Sequence, residues 1–157
     1  MYDLPHDLLD ALKSTPETLT GLLQGVTQAR AVASKGGDED WSVVQVICHL
    51  RDAEEISLQR VSSILDQDDP PIFGYDQAAL ARERNYQGQD LRLALEAFIA
   101  FRRQYLATLS SIQPDEWNRT GRHNEIGQIT ILSHAVHHAC HDAIHCAQIA
   151  RQLAGNA

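Results

Sequence analysis

The sequence predicts an all-α protein, built as a four-helix bundle. Four segments of about 20 to 25 residues repeat their apolar residues at helical spacing, and no stretch shows the period-two alternation of a strand. The chain has 157 residues, the size of one domain, so we expect a single domain over residues 1–157. No run approaches the ~20 apolar residues that a membrane-spanning helix needs.

Capping residues set the expected helix boundaries. The first helix is expected to begin after Thr15, a candidate N-cap followed by Pro16, and to end at the Lys-Gly-Gly of residues 35–37. The second opens at Ser42, where Ser-Val-Val-Gln matches a capping box, and runs to about residue 65. The third and fourth cover about residues 90–112 and 130–155, and a short helix is expected at 76–84.

The link between the second and third helices is unusually long, roughly 24 residues against a helix length of about 36 Å. A link of this length can return along the bundle, which would leave those two helices parallel in an up-down-down-up order. It can also simply loop.

Charge and cysteine content narrow the function classes. The net charge is −8 and the basic residues are scattered, which argues against nucleic-acid binding. The N-terminal segment lacks the basic and apolar regions of a signal peptide. Three cysteines, each inside a predicted helix, argue against a disulfide framework, and we expect them to be small buried residues in a cytoplasmic protein.

Five of the eight histidines lie between residues 134 and 145. At 100° per residue, the positions 134, 138, 141 and 145 form a stripe about 60° wide that borders apolar residues and so faces inward. The stripe is about 16 Å long, so one ion can take only a neighbouring pair: 134/138, 138/141, 137/141 or 141/145. Such pairs bind metals in helical motifs, but they also occur as ordinary surface residues.

A third ligand would favour the metal interpretation. Besides these five, the chain has His6, His49 and His123, and of these only His49 lies inside a predicted long helix. If the second and fourth helices are antiparallel, His49 lies level with His141 and His145. A lone histidine on an apolar face is otherwise more often a hydrogen-bonded core residue.

Several motifs together resemble the DinB/YfiT-like superfamily of metalloenzymes, closest to its DinB-like branch. They are WSVVQVICHLRDAE at 41–54 with Arg60 after it, DDPPIFGYDQ at 68–77, Tyr86, WNRTGRHNEIGQIT at 117–130 and HDAIHCAQI at 141–149. They span residues 15–153 in the family's order. The resemblance implies a four-helix bundle, often a homodimer, with a divalent metal held by one histidine on the second helix and two on the fourth.

Carried over, that pattern names His49, His141 and His145 as the metal ligands, while His134, His137 and His138 do not match it. Three imidazoles leave an ion at least one open position, as catalytic sites do, whereas structural zinc sites are closed by four ligands. Zinc, nickel, iron and manganese are not distinguished by such ligands.

The residues around the ligands have expected roles of their own. Asp52 is a candidate to orient the His49 imidazole, and Gln148 shares the histidine stripe and is a candidate to bind a substrate. Glu54 points away from His49, which favours a surface or interhelical ion pair. Asp142 either supports the fourth helix's ligands or is exposed. Arg119 and His123 are expected to cap and pack.

The resemblance implies an enzyme acting on a small molecule, because characterised relatives include thiol S-transferases that use bacillithiol or mycothiol and others are assigned as hydrolases. The leading hypothesis is that the metal activates a low-molecular-weight thiol or water against a small electrophile. The catalytic residues are not identified by the sequence. The alternative is a non-catalytic or stress-related bundle with a structural ion, for which His138 is the candidate fourth ligand; a haem-binding bundle is a weaker third hypothesis.

Overall fold

The computed structural model describes residues 3–155, in which six α-helices and five short strands follow one another. The helices are α1 (Leu4–Leu22), α2 (Gln28–Ala33), α3 (Val43–Asp66), α4 (Gln77–Glu83), α5 (Leu91–Ser110) and α6 (Ile131–Ala154). The strands are β1 (Lys35–Gly36), β2 (Trp41–Ser42), β3 (Pro71–Ile72), β4 (Thr120–His123) and β5 (Gly127–Thr130). Single 3₁₀ turns lie at Tyr86–Gly88 and Glu116–Asn118.

The four long helices α1, α3, α5 and α6 pack around a core with two apolar clusters. One cluster joins the C-terminal parts of α1 and α6 to the N-terminal halves of α3 and α5, and the other joins the opposite ends. This pairing is the one that an up-down-down-up order requires. It brings the start of α3 level with the later turns of α6.

The caps of α3 and α6 explain where these helices begin. Ser42 and Gln45 form the predicted capping box at α3, and Thr130 with Ser133 forms an equivalent box at α6. The short helix predicted between α3 and α5 is present as α4. Among the described helices, none combines the length and the apolar character that crossing a bilayer would require.

Both predicted bounds of the first helix are wrong. It ends at Leu22 rather than at residues 35–37, because the chain turns at Gly25, where φ is +73°, and the separate helix α2 follows. Helix α1 begins after Asp3, whose side chain accepts a hydrogen bond from the His6 backbone, and it runs through Pro16 to Leu22. Proline lacks the N–H that would bond to the carbonyl four residues earlier, so the Leu12 carbonyl is left free. Arg102 of α5 donates to that carbonyl at 2.7 Å, which compensates for the missing helix bond.

The five short strands were not predicted from the sequence. Strands β4 and β5 form a hairpin, β3 pairs with β4 in parallel, and β1 pairs with β2. Each strand has only two to four residues, too few to produce a detectable alternation. Gly121 is required in β4 because a Cβ there would lie 2.9 Å from Ile72 and 3.1 Å from Ile64.

The cysteines only partly follow the prediction. All three are free thiols, and Cys48 is buried as expected. Cys146 is half-buried, and Cys140 is exposed, because it lies on the solvent side of α6 opposite the histidine stripe. The prediction that all three are buried is therefore wrong for Cys140.

Candidate metal centre

Three imidazoles from two helices meet between α3 and α6. One ring nitrogen from each of His49, His141 and His145 lies within 4.8 Å of the other two. The Nε2 atoms of His49 and His141 are 2.8 Å apart, and the ring centroids of the three pairs are 4.4 to 4.9 Å apart. We call these three residues the histidine cluster.

Burial keeps the histidine cluster uncharged. His49 is 2% exposed and packs against the ring of Trp41. Burial, followed by repulsion from neighbouring histidines, lowers the pKa of His49 to about 3 and that of His141 to about 2. Burial also lowers the pKa of His145, against an opposing hydrogen bond with Gln148. Neutral imidazoles have the free nitrogen lone pair that a metal ligand requires.

Gln148 orients His145. Its Oε1 lies 2.8 Å from His145 Nδ1, so that nitrogen carries the proton and Nε2 is left with its lone pair. The Gln148 amide in turn donates to the Gly36 carbonyl at 3.2 Å. Gly37 follows with φ +78°, and a Cβ there would lie 2.5 Å from the amide nitrogen of Gln148. The turn that follows β1, which we call the β1 turn, therefore packs closely against Gln148. Gln148 in turn hydrogen-bonds His145, one of the three candidate metal ligands.

The donor set fits a divalent ion. When no ion is bound, the Nε2 atoms of His49 and His141 are joined by a hydrogen bond that contains one proton. The buried Nδ1 of His141 has no hydrogen-bond partner among the described residues. Convergent, neutral nitrogen atoms without a carboxylate or cation among them are suited to zinc and other first-row metals.

Asp52 does not take the role expected of it. Its buried carboxylate accepts hydrogen bonds from Tyr86 Oη at 2.5 Å and Arg51 Nε at 2.7 Å, and Arg84 lies 3.1 Å away. Asp52 therefore ties α3 to the segment that crosses back to α5, since it faces that segment rather than His49.

A second polar cluster lies beside the first, and we call it the ion-pair cluster: Glu54, Arg102, His138 and Asp142. The Arg102 guanidinium donates to both Glu54 oxygens at 2.6 and 2.7 Å and to Asp142 Oδ2 at 2.7 Å. Thr15 also donates to Asp142 at 2.9 Å. The interhelical ion pair expected of Glu54 is present, but its surface alternative and the exposure considered for Asp142 are not, because both residues are buried.

Three members of the ion-pair cluster could in principle hold an ion, since oxygen and nitrogen atoms of Glu54, His138 and Asp142 lie within 4.8 Å of one another. Arg102 already supplies the positive charge there, and it is fully buried. A metal cation would be repelled by the guanidinium and would displace its hydrogen bonds. This cluster is therefore a structural network rather than a second metal centre.

His138 does not complete the histidine cluster as a fourth ligand. Its Nε2 lies 2.6 Å from Glu54 Oε2, and its Nδ1 lies 3.1 Å from the Ser57 hydroxyl. Both ring nitrogens are occupied, so neither is available to an ion held by the neighbouring histidines.

A cavity of about 210 Å³ opens beside the histidine cluster. His49, His141, His138 and Ser57 line it, together with Arg60 and Tyr75. The sequence prediction missed Ser57, which no metal-binding spacing marks, and Arg60 and Tyr75 entered it only as parts of family motifs. His134 is buried and also lines the cavity, whereas His137 is exposed at its edge.

The residues before α6 act locally. Arg119 donates to the carbonyls of Ile64 and Gln67 at 3.0 and 2.9 Å, so it caps the C-terminal end of α3. His123 is buried, and its Nδ1 accepts from the Glu125 backbone at 3.2 Å. Capping and packing are the roles that the sequence predicted for this pair.

Comparison with known proteins places this geometry in a family. The chain is 28% identical over 109 residues to the "Putative metal-dependent hydrolase OB0782" of Oceanobacillus iheyensis, covering 69% of this chain and 63% of that protein, so it spans a little under two thirds of that relative. It is 23% identical over 149 residues to the "Putative metal-dependent hydrolase YfiT" of Bacillus subtilis, covering 92% and 83%.

A solved structure shows the same fold. YfiT from Bacillus subtilis, described as a probable metal-dependent hydrolase with an unusual four-helix bundle topology, matches with a TM-score of 0.83 at 21% identity over 98% of this chain and 90% of that one. This likeness confirms the predicted four-helix bundle. The family model described as the DinB superfamily matches residues 11–149, which is most of the chain. The chain therefore belongs to the DinB superfamily.

Proposed function

We propose that this protein is a metal-dependent hydrolase whose divalent ion is held by His49, His141 and His145. The observation that carries the proposal is the convergence of three neutral imidazoles, two of which, those of His49 and His141, line a cavity. The descriptions of the relatives as metal-dependent hydrolases support it. Zinc, nickel, iron and manganese all accept imidazole ligands, so the proposal extends to a divalent ion rather than to one element.

Among the described residues, the histidine cluster offers three ligand atoms and no fourth, which favours a catalytic ion over a purely structural one. The candidate fourth ligand, His138, has both nitrogens engaged by Glu54 and Ser57. The cavity lies on the side of the cluster where a substrate could approach. A bound ion would supply Lewis acidity, which polarises a carbonyl group and makes water nucleophilic near neutral pH.

The chain supplies a proton acceptor next to that position. Hydrogen bonds from Arg102 and His138 outweigh the effect of burial and lower the pKa of Glu54, so its carboxylate is ionised and accepts. An ionised Glu54 can only accept, so His138 Nε2 donates to it, and in this assignment Nδ1 accepts from the Ser57 hydroxyl. Ser57 Oγ thus has its lone pairs free to accept a proton from a molecule in the cavity.

Charge in the ion-pair cluster favours such a transfer. Two carboxylates, those of Glu54 and Asp142, face the single guanidinium of Arg102. A proton passed through Ser57 to His138 Nδ1 would bring the cluster to neutrality. We therefore assign Ser57, His138 and Glu54 as a proton relay that draws a proton away from the attacking nucleophile.

The nucleophile is water in this proposal and a low-molecular-weight thiol in its variant, the S-transferase that the family resemblance implies. Both use the same ligands and relay, and both act on a small molecule. The homodimer expected from the resemblance stays a prediction.

Hydrolysis of 4-nitrophenyl acetate by zinc-loaded protein tests the proposal. The assay uses a Cys140→Ser background, because an exposed thiol can itself attack an activated ester. We expect zinc-dependent turnover that falls about 100-fold or more in His145→Ala and about 10- to 100-fold in Ser57→Ala. A rate equal in wild type, His145→Ala and zinc-free protein would overturn the proposal. Glutathione conjugates formed with an alkylating electrophile, without ester hydrolysis, would favour the S-transferase.

A further inference from the structure

A second cavity adjoins the one beside the histidine cluster. Its volume is about 410 Å³, and it lies between α3, α6 and the β4–β5 hairpin. The two cavities share Arg60, Tyr75, His134 and His137 in their walls. A molecule occupying both would therefore pass Arg60 and His134 on its way to the histidine cluster.

Arg60 has an unsatisfied positive charge at this junction. Its guanidinium donates from Nη2 to the Phe73 carbonyl at 2.6 Å and lies 6.0 Å from the centre of the Tyr75 ring. Among the described residues, no carboxylate oxygen lies within 4.0 Å of it. A half-buried guanidinium with free N–H groups is suited to a bidentate contact with a carboxylate or phosphate.

His134 supplies a second, independent sign of a ligand. Its side chain is 7% exposed and lines both cavities, and its buried Nε2 has no hydrogen-bond partner in the described part of the chain. Buried polar nitrogens are almost always paired in folded proteins, so an unpaired one on a cavity wall indicates a missing partner.

The rest of the second cavity is largely apolar. Ile126 and Ile129 of the hairpin form its far wall, with Glu125 as the one acidic residue of the described lining. The Glu125 carboxylate attracts Arg60 only at longer range, and it would disfavour an anion at the hairpin end of the cavity. An apolar group is therefore expected to lie toward the hairpin and an anionic group toward Arg60.

We propose that Arg60 and His134 form an anion subsite, which binds the carboxylate or phosphate group of a substrate that also has an apolar part. The assignment of the reacting end to the neighbouring histidine cluster rests on the proposed function, whereas the anion subsite itself does not.

Binding of benzoate, phenyl phosphate and benzamide tests this subsite by isothermal titration calorimetry. The three probes share a ring, and only the first two are anionic. The titrations use metal-free as well as zinc-loaded full-length protein, because an anion could otherwise bind the ion directly. Arg60→Gln and His134→Ala are compared with Arg92→Gln, which removes the same charge from the exposed surface of α5.

We expect at least one anionic probe to bind wild type more tightly than benzamide, and Arg60→Gln to weaken it about tenfold or more. Arg92→Gln should not change the affinity, and Arg60→Lys should retain part of it. The preferred anion identifies the group as carboxylate or phosphate. Equal affinities for all three probes, absence of binding, or an unchanged affinity in both Arg60→Gln and His134→Ala would overturn the subsite. Anion binding without ester hydrolysis would instead overturn the hydrolase proposal alone.

Discussion

The histidine cluster and the ion-pair cluster lie side by side in one bundle, with the rings of His141 and His138 6.0 Å apart, but their polar atoms are satisfied in opposite ways. In the ion-pair cluster, a buried guanidinium meets two carboxylates and a backbone carbonyl. In the histidine cluster, neutral nitrogens converge without a counter-charge, and one buried nitrogen has no partner among the described residues.

The difference separates a structural network from a candidate functional site. The Arg102 guanidinium hydrogen-bonds both carboxylates of the ion-pair cluster, although Oδ1 of Asp142 has no partner in the described part of the chain, and the loss of this guanidinium is expected to destabilise the fold. Convergent neutral imidazoles beside a cavity, with no counter-charge, contribute little to the stability of the isolated chain, and they indicate a ligand instead. Replacements in the ion-pair cluster should change stability, and replacements in the histidine cluster should change ion binding.

The largest expected effect is that of Arg102→Met. Removing the guanidinium leaves two buried carboxylates facing each other, and breaking such a pair costs about 3–5 kcal/mol of the free energy of unfolding. Urea denaturation of metal-free protein measures it. The neighbouring Arg103→Met is the control, because Arg103 is exposed on the same helix. Equal stability of the two variants would show that the ion-pair cluster does not support the fold.

A smaller effect is expected for Gln148→Ala, which should weaken zinc binding by about 10- to 100-fold. The His145 Nδ1–H loses its acceptor, so the ring is no longer held with Nε2 toward the cluster. Competition with a chromophoric chelator measures the zinc affinity. The control is Gln128→Ala, because Gln128 is an exposed glutamine of β5. An unchanged zinc affinity in Gln148→Ala would show that Gln148 does not hold His145 in its metal-binding orientation.

The smallest effect compares two glycines with left-handed backbones. Gly37→Ala and Gly127→Ala, at φ +78° and +81°, should each cost about 1–2 kcal/mol of strain. Only at Gly37 does the new Cβ meet Gln148, at 2.5 Å, whereas nothing lies within 4 Å at Gly127. Thermal unfolding should therefore respond similarly in both variants, and zinc affinity should fall only in Gly37→Ala. Equal zinc affinity in the two would contradict the link from the β1 turn to His145.

Helical periodicity and capping residues were sufficient to predict the bundle and most helix ends. The sequence contains two good helix starts, Asp3 with Pro5 and Thr15 with Pro16, and local rules do not decide between them. The choice depends on a tertiary contact, because Arg102 compensates for the bond that Pro16 removes. The strands were missed because each has only two to four residues, and β3 in addition pairs with a strand far along the chain.

The histidine cluster was predictable in part because its spacing is local. His141 and His145 follow from the i, i+4 rule, and His49 followed from the resemblance together with antiparallel packing. The ion-pair cluster was not recognised, although Arg102 continues the buried stripe that contains Phe98 and Tyr105 in α5. A charged residue at a core position was the available signal, but its partners on α3 and α6 are set by helix packing.

Elemental analysis of untagged protein, wild type against His49→Ala and His145→Ala, tests the central claim most directly. We predict about one divalent ion per wild-type chain, lost in both variants while the helical circular-dichroism signal persists, since three ligands are needed to hold the ion. His6→Ala, on the exposed face of α1, should keep its ion. An ion retained in both cluster variants, or none bound by wild type even after reloading with zinc, would contradict the account.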